Sequence, residues 1–92
     1  MNIRYHIFFY GKVQGVFFRA YTRDTASKLG IKGWVKNLPD GSVEAVMEGK
    51  RNDVNALLDF CIHGHPYAKV ERYDKKEEEY VGDFTEFTIN ID

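Results

Sequence analysis

The residues best placed for chemistry lie in one short stretch, Gly11-Lys12-Val13-Gln14-Gly15-Val16-Phe17-Phe18-Arg19. Its two glycines let the backbone curl without β-carbon clashes. Successive N–H groups in a tight loop that leads into a helix form a nest for an anion, and the helix dipole adds partial positive charge. Arg19 falls in the first helical turn, where its planar guanidinium can fold back and grip two oxygens at once. The loop therefore suits a phosphate or a carboxylate. Glycine-bearing strand–helix turns also occur with no ligand, so on these residues alone the purely structural reading stays open. Neither Gly-x-x-x-x-Gly-Lys-Ser/Thr nor Gly-x-Gly-x-x-Gly is present. A cysteine-nucleophile phosphatase needs a thiolate and an arginine around one such loop. Cys61 instead falls on a helical apolar stripe with Tyr67 six places on, and it reads as core.

The elements that must position this loop follow from periodicity. Residues 3–10 alternate as a strand, with Ile3, Tyr5, Ile7 and Phe9 on one side. Residues 17–29 read as a helix with Phe18, Thr22, Thr25, Ala26 and Leu29 on one face, closed by Gly30 in the left-handed position. Strands over 31–37 and 42–48 are joined by the turn Leu38-Pro39-Asp40-Gly41, which predicts an antiparallel hairpin. Asn52 reads as an N-cap, and Val54, Leu57, Leu58, Cys61 and Ile62 form the buried stripe of a second helix, stopped by Gly64 and Pro66. Further strands are expected over 68–74 and 84–91, the latter alternating Phe87, Ile89 and Ile91 against Thr88, Asn90 and Asp92. The order is β-α-β-β-α-β with a C-terminal continuation, the split βαβ arrangement. Each helix is expected to cross between parallel neighbours, and both to cover one face of a four- to five-stranded antiparallel sheet. The other face is expected to be open to solvent.

Composition narrows the function classes. Ninety-two residues suffice for one domain, 1–92. Thirteen basic against fourteen acidic residues give a formal charge of −1, which argues against a general nucleic-acid coat. One cysteine makes neither an internal disulfide nor a cysteine zinc site. The run Ile7-Phe8-Phe9-Tyr10 is far too short for a membrane span or an export signal, so a cytoplasmic protein is expected. The mixed run Asp74-Lys75-Lys76-Glu77-Glu78-Glu79 reads as a solvated loop or strand end. His6 registers on the polar side of the first strand. His63 and His65 read as loop histidines rather than metal ligands, since no third ligand of suitable type is nearby. Trp34 registers with Phe8, Tyr10, Val46 and Tyr73 on the open face, a patch that could stack bases or meet a partner.

Taken together, Gly11-Lys-Val-Gln-Gly-Val-Phe-Phe-Arg19, Gly30, Gly33-Trp-Val-Lys-Asn37, Gly41-Ser-Val and Glu48-Gly49 resemble the acylphosphatase family over nearly the whole chain. Toward the C-terminus His65 stands where that family commonly has proline. The resemblance implies a ferredoxin-like α/β sandwich and hydrolysis of acyl phosphates to carboxylate and inorganic phosphate, without metal or cofactor. It implies that Arg19 binds the phosphate, that Asn37 orients the attacking water, and that the backbone of Gln14, Gly15, Val16, Phe17, Phe18 and Arg19 forms the cradle. The expected partners are a small-molecule acyl phosphate and inorganic phosphate as product and inhibitor. A monomer is expected, with no nucleic acid and no membrane. The alternative of another class is a non-catalytic ferredoxin-like binding module that uses its aromatic sheet face for RNA or a partner protein. A third reading is an acylphosphatase-like regulatory domain detached from a larger carbamoyl-transfer protein; the lack of zinc-finger cysteines and of a linker after Asp92 counts against it.

Overall fold

A computed structural model describes residues 1–91; Asp92, assigned above to the last strand's alternation, lies outside the described residues. The elements are β1 (Asn2–Lys12), α1 (Phe18–Leu29), β2 (Lys32–Asn37), β3 (Val43–Lys50), α2 (Arg51–Asp59), a π-helical turn (Phe60–Gly64), β4 (Lys69–Glu78) and β5 (Phe87–Ile89). They form a ferredoxin-like sheet in the order β4-β1-β3-β2-β5, with α1 and α2 packed on one face. Ile3, Tyr5, Ile7 and Phe9 of β1, Val43, Ala45 and Met47 of β3, and Val35 of β2 meet Phe18, Ala26, Val54, Leu57 and Cys61 in one core. Each fully buried Val, Leu, Ile, Phe or Met side chain among them contributes roughly 1.5–3 kcal/mol.

Two expectations about the sheet are corrected. It is mixed rather than antiparallel, because β5 runs parallel to β2 (Gly33 opposite Phe87, Val35 opposite Ile89). The strands joined by each helix run parallel but are not neighbours: β3 lies between β1 and β2, and β1 lies between β3 and β4. This interleaving brings the C-terminal ends of β1, β2 and β5 to one edge of the sheet. It also demands close approach at Gly33, where a β-carbon would stand 1.9 Å from the Val46 carbonyl oxygen and φ is 142°. Only glycine fits there.

Element ends differ for identifiable reasons. α2 follows β3 without a loop. Its cap is Lys50, not Asn52, and the Arg51 N–H donates to the Met1 carbonyl at 3.0 Å. β4 continues to Glu78 and absorbs most of the charged run, pairing with β1 from Lys69 to Glu78. It is an edge strand, where alternating charges discourage pairing with other chains. β5 contracts to three residues, because residues 79–86 carry the chain from one edge of the sheet to the other. That strap covers one end of the face expected to be open. Val81 and Gly82 donate backbone N–H groups to Glu48 at 2.9 and 3.2 Å, and Arg4 pairs with the same carboxylate at 3.3 Å. Glu48 is thereby buried with its charge matched. Tyr73 lies opposite Phe9, on the helix-bearing face, and not with Trp34.

Candidate functional site

The loop between β1 and α1 is held at three points. Val13 and Val16 turn into the core. The Gln14 side-chain amide donates to the carbonyls of Leu38 and Ser42, both at 2.8 Å, and so ties the loop to the β2–β3 turn. That turn is itself set: hydrogen bonds from the Ser42 hydroxyl and N–H hold the Asp40 carboxyl below its ordinary range. Between these anchors the backbone alternates in hand. Gly15 has φ 74° and Phe17 has φ 62°, whereas Val16 and Phe18 keep negative φ. Such alternation turns successive N–H groups to one side. Among the described residues, no N–H of residues 15–19 donates to a backbone carbonyl, and the first helical bond runs from Tyr21 N–H to Phe17 O at 3.1 Å. Holding a phenylalanine in the left-handed region costs about 1–2 kcal/mol, and strain of this kind collects at ligand sites.

These groups border a cavity of about 400 Å³ lined by Val13, Gly15, Phe17, Phe18, Arg19, Ala20 and Asn37, with Ile89 and Ile91 as an apolar wall. Arg19, the second residue of α1, makes no ion pair or hydrogen bond among the described residues. Arg4, Arg23 and Arg51 are all paired with carboxylates. Asn37, the last residue of β2, has a side-chain Oδ1 that is buried and without a partner among the described residues. A buried, unsatisfied acceptor costs about 1–3 kcal/mol. The structure thus brings Gly15, Phe17, Phe18, Arg19 and Asn37 around one cavity, whereas the side chains of Gln14 and Val16 serve as anchors and only their backbones border the loop. Ala20, Ile89 and Ile91 were not legible as lining. The alternation of Phe87, Ile89 and Ile91 marks a strand face but not the end of the sheet it reaches.

The histidines separate. His6 meets Glu44 at 2.6 Å on the sheet face. His63 is exposed near Asp59, at 4.0 Å. His65 lies in the loop after the π-helical turn, as expected, but it is buried: it stacks on Phe18 at 4.2 Å and places Nε2 3.1 Å from the Thr22 hydroxyl. Burial lowers its pKa from 6.5 to about 4, so between these values the unfolded chain binds more protons than the folded one. The stability contributed by neutral His65 is therefore complete above about pH 6.5 and is lost as pH falls toward 4. Urea unfolding across that window is expected to show this slope, and His65→Gln to flatten it; an unchanged slope would contradict the burial of a neutral ring. Cys61 is buried as expected, and burial pushes its thiol up to about 12, which leaves no thiolate for nucleophilic work.

The acylphosphatase family model matches residues 5–89. The chain belongs to the acylphosphatase family. It is 53% identical to an acylphosphatase of Syntrophus aciditrophicus, over 100% of this chain and 96% of that one. The crystal structure of acylphosphatase from Bacillus subtilis superposes with a TM-score of 0.91 at 34% identity, covering 97% of this chain and 99% of that one. HypF of T. kodakarensis carries a similar unit (TM-score 0.83, 34% identity) that spans 98% of this chain but only 12% of its own. Membership of the family brings a hydrolase activity toward small-molecule acyl phosphates and does not favour the binding-module alternative. On the aromatic sheet face Arg72 lies 4.0 Å over the Tyr10 ring, and Lys36 lies 5.7 Å from the Trp34 ring centre. No helix among the described residues is long and apolar enough to cross a membrane.

Proposed function

We propose that this chain hydrolyses acyl phosphates at the cavity between the β1–α1 loop and Asn37, as a single-domain cytoplasmic monomer. The reading is supported by one juxtaposition: the Arg19 guanidinium and a set of loop N–H groups without partners among the described residues border the same cavity as Asn37, whose buried Oδ1 is likewise unpartnered among them. The nest of residues 14–19 and Arg19 would hold the phosphoryl oxygens. Charge spreads over those oxygens in the transition state, so fixed positive ends placed there lower the barrier. Asn37 would hold a water in line with the departing oxygen. The water oxygen bonds to phosphorus as the phosphorus–acyl oxygen bond breaks, and the bonding pair leaves with the carboxylate. A carboxylate has a conjugate acid of pKa roughly 4–5 and departs without a general acid. A neutral amide cannot accept the water's proton, so that proton passes to a phosphate oxygen of the substrate. Products are the carboxylate and inorganic phosphate, which would compete for the same nest. The steps so written use the chain's own groups and a phosphate oxygen of the substrate, and call on no cofactor, metal or nucleic acid.

Phosphate release from benzoyl phosphate, followed with and without a chelator, tests the reading. Release at equal rates in both is expected. No release would end the hydrolase assignment, and release abolished by the chelator would end the metal-free part of it.

A further inference from the structure

A second concavity of about 400 Å³ adjoins the anion cavity and is lined by Phe17, Ala20, Tyr21, Asp24 and Tyr67. Phe17 and Ala20 border both spaces. Three aromatic rings surround it and leave it open. Phe17 is 69% exposed and Tyr67 59% exposed, a large apolar outlay for a chain of this size. The rings are mutually arranged: Phe17 and Tyr67 have centroids 6.3 Å apart at 63°, and Tyr21 and Tyr67 6.4 Å apart at 50°. Tyr21 is backed in turn by His65, edge-on at 5.9 Å. The rim is therefore a supported structure rather than three independent side chains.

Its position relative to Asn37 gives it a use. Arg19 and Tyr21 are two residues apart on α1, about 200° around the helix, so they occupy opposite flanks. The Arg19 flank carries Asn37, Ile89 and Ile91 around the anion cavity. The opposite flank carries Tyr67, which enters from the segment before β4, on the far side of β1 in the sheet. In-line displacement requires the attacking water and the departing oxygen to lie on opposite sides of phosphorus. With the water at Asn37, the acyl group leaves on the side away from Asn37, over Phe17 and toward Tyr21 and Tyr67.

We infer that Phe17, Tyr21 and Tyr67 form an acyl subsite that favours planar aromatic acyl phosphates over short aliphatic ones. The inference rests on the hydrolase reading of the anion cavity. An aromatic acyl ring can meet the three rings in edge-to-face or offset geometry, whereas an acetyl group offers only a methyl and no ring to pair with them.

The test compares kcat/KM for benzoyl phosphate and acetyl phosphate in the wild-type protein, Tyr67→Ala, Tyr67→Leu and Tyr67→Phe. Taking the benzoyl-to-acetyl ratio within each protein and comparing it across proteins cancels the intrinsic reactivities of the two compounds. The ratio is expected to fall roughly three- to tenfold in Tyr67→Ala, the loss of one or two aromatic contacts. Tyr67→Phe is expected to restore it. Tyr67→Leu keeps apolar bulk without a ring, and is expected to resemble Tyr67→Ala; it also provides the reading should the alanine variant not fold. A ratio that stays at the wild-type value in both ring-less variants would overturn the subsite while leaving the hydrolase intact. Release of phosphate from neither compound by the wild-type protein would overturn the hydrolase and the subsite together.

Discussion

Arg19→Ala is expected to lower kcat/KM for benzoyl phosphate by about three orders of magnitude and to weaken inhibition by inorganic phosphate in parallel. Losses of this size follow when a donor aimed at developing charge, or an arginine that stabilises a transferring phosphoryl group, is removed. The structure makes the variant informative because Arg19 carries no structural duty: its guanidinium has no carboxylate and no hydrogen-bond acceptor among the described residues. It also stands in the first turn of α1, where a cation opposes the helix dipole at a cost of about 0.3–1 kcal/mol. Arg19→Ala is thus expected to melt at the same temperature as the wild-type protein or slightly above it. Arg19→Lys keeps the charge but not the two-pronged fork, and is expected to recover phosphate binding better than turnover. A folded Arg19→Ala protein with near-normal turnover would remove the anion-gripping role, and with it the reading of the cavity.

The parts of the molecule that were legible in the sequence are those decided within a few residues. Gly30 closes α1 in the left-handed conformation, with φ 72°, because no neighbouring element bears on that choice. Pro39-Asp40-Gly41 sets the hairpin, and Gly15 bends the β1–α1 loop, whereas the left-handed Phe17 and the tie from Gln14 to Leu38 and Ser42 were not legible. The convergence of Arg19 and Asn37 followed from topology, since both β1 and β2 run antiparallel to β3. What escaped was decided by distant partners. β5 is three residues long, and its parallel pairing with β2 depends on where the strap from β4 delivers it. Glu48 is buried through the backbone N–H groups of Val81 and Gly82, more than thirty residues away, which no local pattern around it reveals. His65 follows a helix end and reads locally as a loop residue; Phe18, Tyr21 and Phe60 enclose it only once α1 and α2 are side by side. The charged residues 74–78 show no apolar alternation, because an edge strand faces water along its length.

Asn37→Ala separates binding from turnover. The amide is assigned to the water and not to the phosphate, so the inhibition constant for inorganic phosphate is expected to stay within about twofold of wild type, while kcat falls on the order of a hundredfold, the scale of loss when a reacting group is no longer held in place. Stability is expected to hold or rise, since the substitution removes a buried acceptor that has no partner among the described residues. Asn37→Asp sharpens the reading. It preserves shape but sets a negative charge beside the anion cavity, so phosphate affinity is expected to fall together with kcat, and raising the ionic strength is expected to recover part of the affinity. The pairing of a silent binding constant with a large rate loss in the alanine variant is what a positioned water requires. If phosphate affinity collapsed in Asn37→Ala while turnover persisted, Asn37 would be a phosphate ligand, and the water would have to be held from elsewhere in the cavity. The direction of attack would then no longer be fixed at the end of β2, and neither would the side on which the acyl group departs.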